Sequence, residues 1–231
     1  MLRASGLQKS FGRVRALRNV GFTVEKGRIM AMLGENGAGK TTTLKIVLGF
    51  LRSDAGTVEL GTRRIGYIPD RPVFFSWLNG ADLLDLTARS AGIPAAVWDP
   101  RIRSICGKLA FDPALLGRRP AAYSSGNAKK FAALQSLAGA PELLIADEPF
   151  SALDPPSIQR MRDLFVEARN GGAAVLLSSH MLSETARISD DAVVLRGGEV
   201  AARFELGGSA ACIQRPPSGD LESAVLSLMA G

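Results

Sequence analysis

The feature that most constrains this chain is a glycine-rich run that comes directly after a short apolar segment. The apolar segment is IMAML (29–33), and the run GENGAGKT (34–41) fits the pattern G-x-x-x-x-G-K-[ST]. A buried strand, this pattern and the start of a helix, in that order, are the context in which the run forms a phosphate-binding loop, or P-loop. An isolated glycine-rich turn is the alternative, and the helical apolar spacing that follows, expected over about 39–50, argues against it.

The residue types in this run suit the chemistry of phosphate binding. Glycines let the backbone approach phosphate oxygens, the amides at a helix N-terminus donate hydrogen bonds, and the ammonium of Lys40 adds a positive charge near the β- and γ-phosphates. The hydroxyl of Thr41 is a suitable Mg²⁺ ligand, because this ion takes one or two protein oxygens together with phosphate and water oxygens. The residues expected to contact the nucleotide here are Gly34, Glu35, Asn36, Gly37, Ala38, Gly39, Lys40, Thr41 and Thr42.

A second apolar run ends in two acidic residues. The segment LLIA (143–146) is followed at once by Asp147 and Glu148. In open parallel sheets, ligand sites lie at the carboxyl ends of the strands, so both acids are expected to reach the nucleotide. Asp147 is expected to enter the Mg²⁺ sphere and Glu148 to act as the general base that takes a proton from water. A solvated turn is the alternative interpretation, and the buried strand before the pair argues against it.

The order of the remaining segments predicts the fold. From Ser125 onward, a helix, the strand ELLIA, a helix over 155–170, the strand AAVLLSS, a helix and the strand AVVLR alternate, which is typical of a parallel sheet with crossover helices. VGFTV (20–24), TVEL and RIGYI are expected to be short strands nearer the N-terminus. GGEVAARFEL is expected to form a hairpin, followed by a short terminal helix.

The region from about 72 to 116 has a different character. ADLLDLTARSAG and RIRSICGKLA are expected to be helices separated by Pro94 and Pro100. We therefore expect an α/β fold: a P-loop core with a mainly parallel sheet, N-terminal antiparallel strands and an inserted helical subdomain. The expected organisation is one domain over 1–231, with the core in 1–71 and 117–231 and a helical subdomain that begins in 72–116.

Composition excludes several classes of protein. Of the 231 residues, 46% are hydrophobic and 22% are charged, which is incompatible with a disordered or fibrous chain. Cys106 and Cys212 lie far apart without Cys/His neighbours, so no zinc or disulfide scaffold is expected, and a reducing cytosol is the simplest compartment. The net charge of +6 comes from scattered residues, with pairs such as Lys129-Lys130, and does not indicate a nucleic-acid surface. No signal peptide and no spanning helix of about 18–20 apolar residues is expected.

Three further motifs occur in one order along the chain. YSSGN (123–127) precedes the Asp147-Glu148 strand, SALD (151–154) follows Glu148 closely, and the single histidine, His180, ends the strand AAVLLSS. With the P-loop, these motifs resemble the ATP-binding domain of an ABC transporter over about residues 11–199. YSSGN is similar to the family's LSGGQ-type signature, and SALD to its D-loop. The helical subdomain would then extend through the signature helix to about 139.

The resemblance implies roles for residues outside the P-loop. Ser124 and Gly126 would contact a γ-phosphate, and Asp154 would contribute to the nucleotide site from the D-loop. His180 would act with Glu148 in catalysis, by contacting the γ-phosphate and orienting the base and water. A core histidine is the alternative, but a position at the end of a buried strand favours the phosphate site.

The Q-loop position and the adenine-stacking position are two further matches to the family. Asp70, in IGYIPD (65–70), stands where the family's Q-loop usually has glutamine, and we expect it to be a third Mg²⁺ ligand or to hold a water. Phe11 matches the aromatic that stacks on adenine, although a lone aromatic beside a strand is equally compatible with a core position. The signature also departs from the family pattern, since Ser125 replaces a glycine and Asn127 a glutamine.

The resemblance implies an ATPase that uses ATP and Mg²⁺. Because each motif occurs once, two composite sites would need a second copy of this chain or a paralogous subunit. The expected location is cytoplasmic, peripheral on the inner face of the cell membrane, with a separate multi-span permease as partner and no nucleic acid. Phe74, Phe75 and Trp77 are candidates for the permease contact or for the core of the helical subdomain. The YIPD and YSSG variants favour export.

Two other functions are compatible with a P-loop. A soluble ABC-type ATPase acting on ribosomes or DNA is the alternative, but such relatives carry a second ATP-binding domain or a long coiled-coil insertion, which this sequence lacks. A P-loop kinase or GTPase would lack the YSSGN and SALD motifs. The sequence leaves open the cargo, the direction of transport and the identity of the permease.

Overall fold

Two β-sheets form the centre of the computed structural model, which describes residues 1–206. The short terminal helix expected from the sequence lies outside the described residues, as does Cys212. The strands are β1 Leu2–Phe11, β2 Val14–Val24, β3 Ile29–Leu33, β4 Ala55–Leu60, β5 Ile65–Ile68, β6 Leu143–Asp147, β7 Ala174–Ser179, β8 Asp191–Arg196 and β9 Glu199–Glu205. The helices are α1 Lys40–Val47, α2 Gly80–Ala91, α3 Ala95–Leu109, α4 Ser125–Ala138, α5 Pro155–Asn170 and α6 Leu182–Ala186, with 3₁₀ turns at Pro113–Gly117 and Pro120–Ala122.

The strand order places the P-loop strand in the middle of the larger sheet. This sheet has the order β5-β6-β7-β3-β8-β9, parallel throughout except for the antiparallel edge strand β9. The smaller sheet, β2-β1-β4, is antiparallel. The predicted class is therefore confirmed: an α/β fold with a mainly parallel sheet, N-terminal antiparallel strands and helices inserted between β5 and β6.

Both faces of the larger sheet are covered, which explains why its strands read as continuous apolar runs. Along β3, Ile29, Ala31 and Leu33 face one hydrophobic core together with residues of α3, α4 and α5. Met30 and Met32 face a second core, shared with α1 and the smaller sheet. This alternation follows the two-residue period of a strand.

The helical segment corrects one expectation about its prolines. Pro94 does precede a helix, as the N-terminal cap of α3, but Pro100 lies inside that helix rather than at a boundary. An interior proline removes one backbone hydrogen bond and costs roughly 3 kcal/mol. The flanking side chains of Trp98 and Ile102 are buried, so their packing offsets that cost. Helix α1 also ends at Val47, earlier than the sequence indicated.

Aromatic packing joins α4 to the rest of the helical segment. The fully buried ring of Phe131 lies 5.3 Å from the ring of Phe74, 6.1 Å from Phe111 and 5.7 Å from Tyr123, measured between centroids. The contacts with Phe74 and Tyr123 are edge-on, and aromatic pairs of this kind contribute about 0.5–1.5 kcal/mol each beyond area burial. Among residues 1–206, no helix combines the length and apolar character needed to cross a bilayer.

We expect Phe131→Ala to lower the free energy of unfolding by about 3–5 kcal/mol, because it leaves a cavity where three rings meet. Urea unfolding followed by circular dichroism measures the change. Trp77→Ala is the matched control, since 68% of Trp77 is exposed and its removal should change stability by less than about 0.5 kcal/mol. Equal losses in both variants would contradict this account of the core.

Candidate functional site

The P-loop connects β3 to α1 and passes close to neighbouring backbone. Gly34 has φ of 150°, and a Cβ there would lie 2.4 Å from the carbonyl oxygen of Leu195. Gly39 has φ of 105°, and a Cβ there would lie 2.6 Å from Cδ2 of Leu17. Both the backbone conformation and the space require glycine, which explains why the motif has glycine at its two ends.

Lys40 folds back over the loop that precedes it. Its Nζ donates to the carbonyl oxygens of Gly34, at 2.6 Å, and Glu35, at 3.2 Å. The same ammonium lies 3.7 Å from Oε1 of Glu148. The predicted phosphate-binding lysine and the predicted base are thus neighbours at the carboxyl edge of the sheet.

The carboxylate of Asp147 joins the P-loop to two strands. Oδ2 accepts a hydrogen bond from Oγ1 of Thr41 at 2.9 Å, and Oδ1 accepts one from Oγ of Ser178 at 2.5 Å. Asp147 is only 2% exposed. A hydroxyl and a carboxylate oxygen side by side are the hard ligands that Mg²⁺ takes from proteins, so the residues present fit the ion predicted from the sequence.

Glu148 lies immediately after β6 in an uncommon backbone conformation. Its φ is 46°, in the left-handed region, and its N–H donates to the carbonyl oxygen of Ser178 at 3.2 Å and to its Oγ at 3.1 Å. Oε2 lies 2.8 Å from Nδ1 of His180 and accepts the His180 backbone N–H at 3.3 Å. A non-glycine residue held here costs of order 1–3 kcal/mol, and such strain is concentrated at functional sites. The predicted base and the single histidine are therefore in direct contact.

Asp70 lies in a different set of contacts from the other two predicted metal ligands. Its Oδ1 accepts a hydrogen bond from Oγ of Ser151 at 3.1 Å and lies 3.7 Å from Nζ of Lys129. Burial raises the pKa of Tyr67 to about 12, and the charges of Asp147 and Asp70 add to that shift. The structure brings Thr41 together with Asp147 only, and a direct metal role for Asp70 stays a prediction.

The signature and D-loop residues meet within the chain. Oγ of Ser124 caps α4 by accepting the N–H of Asn127 at 3.3 Å, and a Cβ on Gly126 would lie 3.1 Å from the carbonyl oxygen of Ala152. Asp154 caps α5, and hydrogen bonds from the hydroxyl and amide of Ser157 lower the pKa of the aspartate carboxyl.

Their helix-capping role explains these residues locally, and their contacts with nucleotide stay predictions. Phe11 is 51% exposed at the end of β1, which excludes the alternative of a core position. Its stacking on adenine is likewise still a prediction. Ala16 and Leu17 of the next strand pack against Gly39, so the β1–β2 hairpin reaches the P-loop.

Two residues of this site, Ser178 and Lys129, were not predicted from the sequence, and Ser151 was identified only as part of the SALD motif. All three contact predicted site residues through hydrogen bonds. Ser178 could have been found, because it lies near the carboxyl end of a strand that neighbours the Asp147 strand. Lys129 gave no such signal, since it stands out only as half of a basic pair on a helix.

Fold and site together define a P-loop protein that binds and hydrolyses a nucleotide. An ABC transporter family model matches residues 17–151. The ABC transporter ATP-binding protein YxlF of Bacillus subtilis is 34% identical, over 89% of this chain and 71% of its own length. The chain therefore belongs to the ABC transporter family, as one of its ATP-binding ATPase components.

Other similarities agree with this assignment. The lantibiotic transport ATP-binding protein SrtF of Streptococcus pyogenes is 29% identical, over 90% of this chain and 93% of its own length. A solved ATP-binding subunit of an ABC transporter superposes with a TM-score of 0.88 and 28% identity, covering 99% of each chain. A dimeric ATP-binding cassette bound to ADP and Pi has a TM-score of 0.81 at 19% identity, over 90% of this chain and all of its own, and shows the shared fold.

We expect Gly39→Ala to weaken nucleotide binding by about 5- to 150-fold, since strain of order 1–3 kcal/mol would fall on the loop itself. Fluorescence of a labelled ATP analogue measures the affinity. Gly107→Ala is the matched control, because Gly107 lies within α3 with no atom within 4 Å of a built Cβ. It should bind nucleotide normally, and normal binding by Gly39→Ala would contradict the role of the loop.

Proposed function

We propose that this chain is the ATP-binding and ATP-hydrolysing subunit of an ABC transporter that uses Mg²⁺ and powers transport, in the export direction, through a separate membrane permease. The observation that carries the proposal is the contact of one carboxylate, that of Glu148, with both the P-loop lysine Lys40 and His180. A base, a γ-phosphate sensor and a phosphate-binding cation at one point are the groups needed to hydrolyse a phosphoanhydride.

The residues of the site divide the chemistry among them. Lys40 and the P-loop amides bind the β- and γ-phosphates, and the oxygens of Thr41 and Asp147 would hold Mg²⁺. When bound, the ion neutralises developing charge on the phosphate oxygens. Glu148 takes the proton of the attacking water, and His180 fixes the direction of that carboxylate through the 2.8 Å contact. Phe11, which is exposed at the end of β1, stacks on the adenine in this proposal.

Two copies are needed for a complete site in this proposal. The signature residues Ser124 and Gly126 lie at the start of α4, whereas the P-loop precedes α1, and each motif occurs once in the sequence. A two-fold dimer places the signature of one copy against the ATP of the other, and a paralogous subunit would serve equally. The dimeric cassette bound to ADP and Pi supports this arrangement by its fold.

The membrane partner docks beside the Q-loop in this proposal. Phe75 is 50% exposed and Trp77 is 68% exposed, with ring centroids 5.1 Å apart. Phe74 is different, since its ring packs against the buried Phe131 and so belongs to the core. Two exposed aromatic rings a few residues after Asp70 form an apolar surface suited to a protein partner. In this proposal the chain lies on the cytoplasmic face of the membrane, and the YIPD and YSSG variants favour export.

We expect Glu148→Gln to lower the ATP turnover number by about 10²- to 10⁴-fold, because the amide cannot take a proton from water. Nucleotide affinity should be retained, since the P-loop is unchanged. Phosphate release in the presence of Mg²⁺ measures the rate. Glu142→Gln is the control, because Glu142 forms an exposed ion pair with Arg64 and should keep full activity. Normal turnover by Glu148→Gln would refute the assignment of the base.

We expect the chain to co-purify from membranes with a multi-span protein, and Phe75→Ser with Trp77→Ser to weaken that association while ATP binding persists. Burial of two aromatic rings at an interface is worth a few kcal/mol, roughly 10- to 1000-fold in affinity. Leu86→Ser is the control, as an exposed apolar residue on α2. ATP turnover stimulated by ribosomes or DNA, without a membrane partner, would support the soluble ATPase instead.

A further inference from the structure

Lys129 is the least exposed charged residue among residues 1–206, at 1%. It lies in α4, on the helix that the signature opens, and its side chain points away from solvent. Burying an ammonium costs several kcal/mol unless hydrogen bonds and an opposite charge compensate. Lys129 must therefore have specific compensating contacts, and these contacts indicate its role.

The Lys129 ammonium uses its full set of three donors. Nζ donates to the carbonyl oxygens of Asp70 at 2.5 Å, Pro69 at 3.0 Å and Glu148 at 3.0 Å. Oδ1 of Asp70, 3.7 Å away, supplies a negative charge. Burial lowers the pKa of Lys129, and the charges of Asp70, Asp147 and Glu148 oppose that shift. One amino group thus ties the end of the Q-loop strand to the residue after β6.

Ser151 completes the same set of contacts from the D-loop side. Its Oγ lies 2.9 Å from the carbonyl oxygen of Glu148 and 3.1 Å from Oδ1 of Asp70. Three segments that are distant in sequence, at 69–70, 129 and 148–151, therefore share one polar cluster. Asp70, the aspartate at the Q-loop position, is a member of this cluster. Its negative charge attracts the Lys129 ammonium more strongly than a neutral side chain would.

The backbone of Glu148 depends on this cluster. Its left-handed conformation, with φ of 46°, persists only where the surroundings hold it. The N–H is held by Ser178, and the carbonyl oxygen is held by Lys129 and Ser151. Loss of the Lys129 contact would leave Ser151 as the remaining donor to this carbonyl oxygen, and the carboxylate would be held less firmly toward Lys40 and His180.

We propose that Lys129 is a positioning residue for ATP hydrolysis, whose ammonium holds the Glu148 peptide and the Pro69–Asp70 backbone in one arrangement, so that displacement of the Q-loop displaces the base. Lys129 touches neither nucleotide nor water in this proposal and acts only through Glu148. The inference rests on the proposed function of Glu148 as general base.

The test compares Lys129→Met with the wild-type chain in three measurements. Methionine has a similar length and no donor. We expect the turnover number to fall about 10- to 100-fold, the cost of a misplaced catalytic group, while the affinity for a labelled ATP analogue changes by less than about twofold. The thermal midpoint shows whether the variant is folded. Lys108→Met is the matched control, since Lys108 forms an exposed pair with Glu167 and should leave turnover unchanged.

A second variant covers the case in which Lys129→Met does not fold. Lys129→Gln keeps a neutral donor that can serve at most two of the three carbonyl oxygens, so we expect an intermediate fall in turnover with normal nucleotide affinity. Normal turnover in a folded Lys129→Met, or in Lys129→Gln if the methionine variant is unfolded, would overturn the proposal and leave a purely structural lysine. An equal loss of turnover and nucleotide affinity would also overturn it.

The variant Glu148→Gln distinguishes a failure of the proposed general base from a failure of the positioning role of Lys129. If Glu148→Gln abolishes turnover while the Lys129 variants are fully active, only the positioning role fails. If Glu148→Gln is active, the proposed general base fails, and the positioning role fails with it.

Discussion

The hydrogen bonds of the Asp147 carboxylate hold the functional edge of this protein together. One oxygen accepts from Thr41 at the start of α1 and the other from Ser178 on β7, so that a single buried group joins the P-loop to two neighbouring strands. Hydrogen bonds to a charged acceptor are roughly twice as strong as neutral ones, and leaving such a carboxylate unpaired would cost several kcal/mol. The same oxygens are those that suit Mg²⁺, so the group that organises the edge is also the group that would hold the ion.

The backbone conformation of Glu148 sets the direction of its carboxylate. At Glu148 the chain leaves β6 in a left-handed conformation, and that turn aims the carboxylate at Lys40 and His180 rather than along the strand. The turn is held on one side by Ser178 and on the other by Lys129 and Ser151. In our proposal, the Q-loop, the signature helix and the D-loop together fix the direction of the Glu148 carboxylate. A displacement of any of these segments would then move this carboxylate.

Sequence patterns were most reliable for features that residues close together in the chain determine. The P-loop follows from five apolar residues and the spacing of its glycines, and the contact of Thr41 with Asp147 follows from two strand ends at one edge of a sheet. They were less reliable for features that depend on tertiary packing. Pro100 predicts a helix boundary, yet burial of Trp98 and Ile102 keeps it within α3. Phe74 and Phe75 are adjacent and identical, but only the second is exposed.

By itself, the sequence determined the α/β alternation, the phosphate loop, the two acids after β6 and the single histidine, because each is a local pattern of residue types at fixed spacing. The tertiary structure alone decided the strand order that puts β3 between β7 and β8, and the burial of Lys129 between segments about 60 and 20 residues away in the chain. The physical reason is that a charged group can be buried only where hydrogen-bond acceptors surround it. For Lys129 these acceptors are backbone carbonyl oxygens of remote residues, and every residue has such an oxygen whatever its side chain, so the sequence does not reveal them.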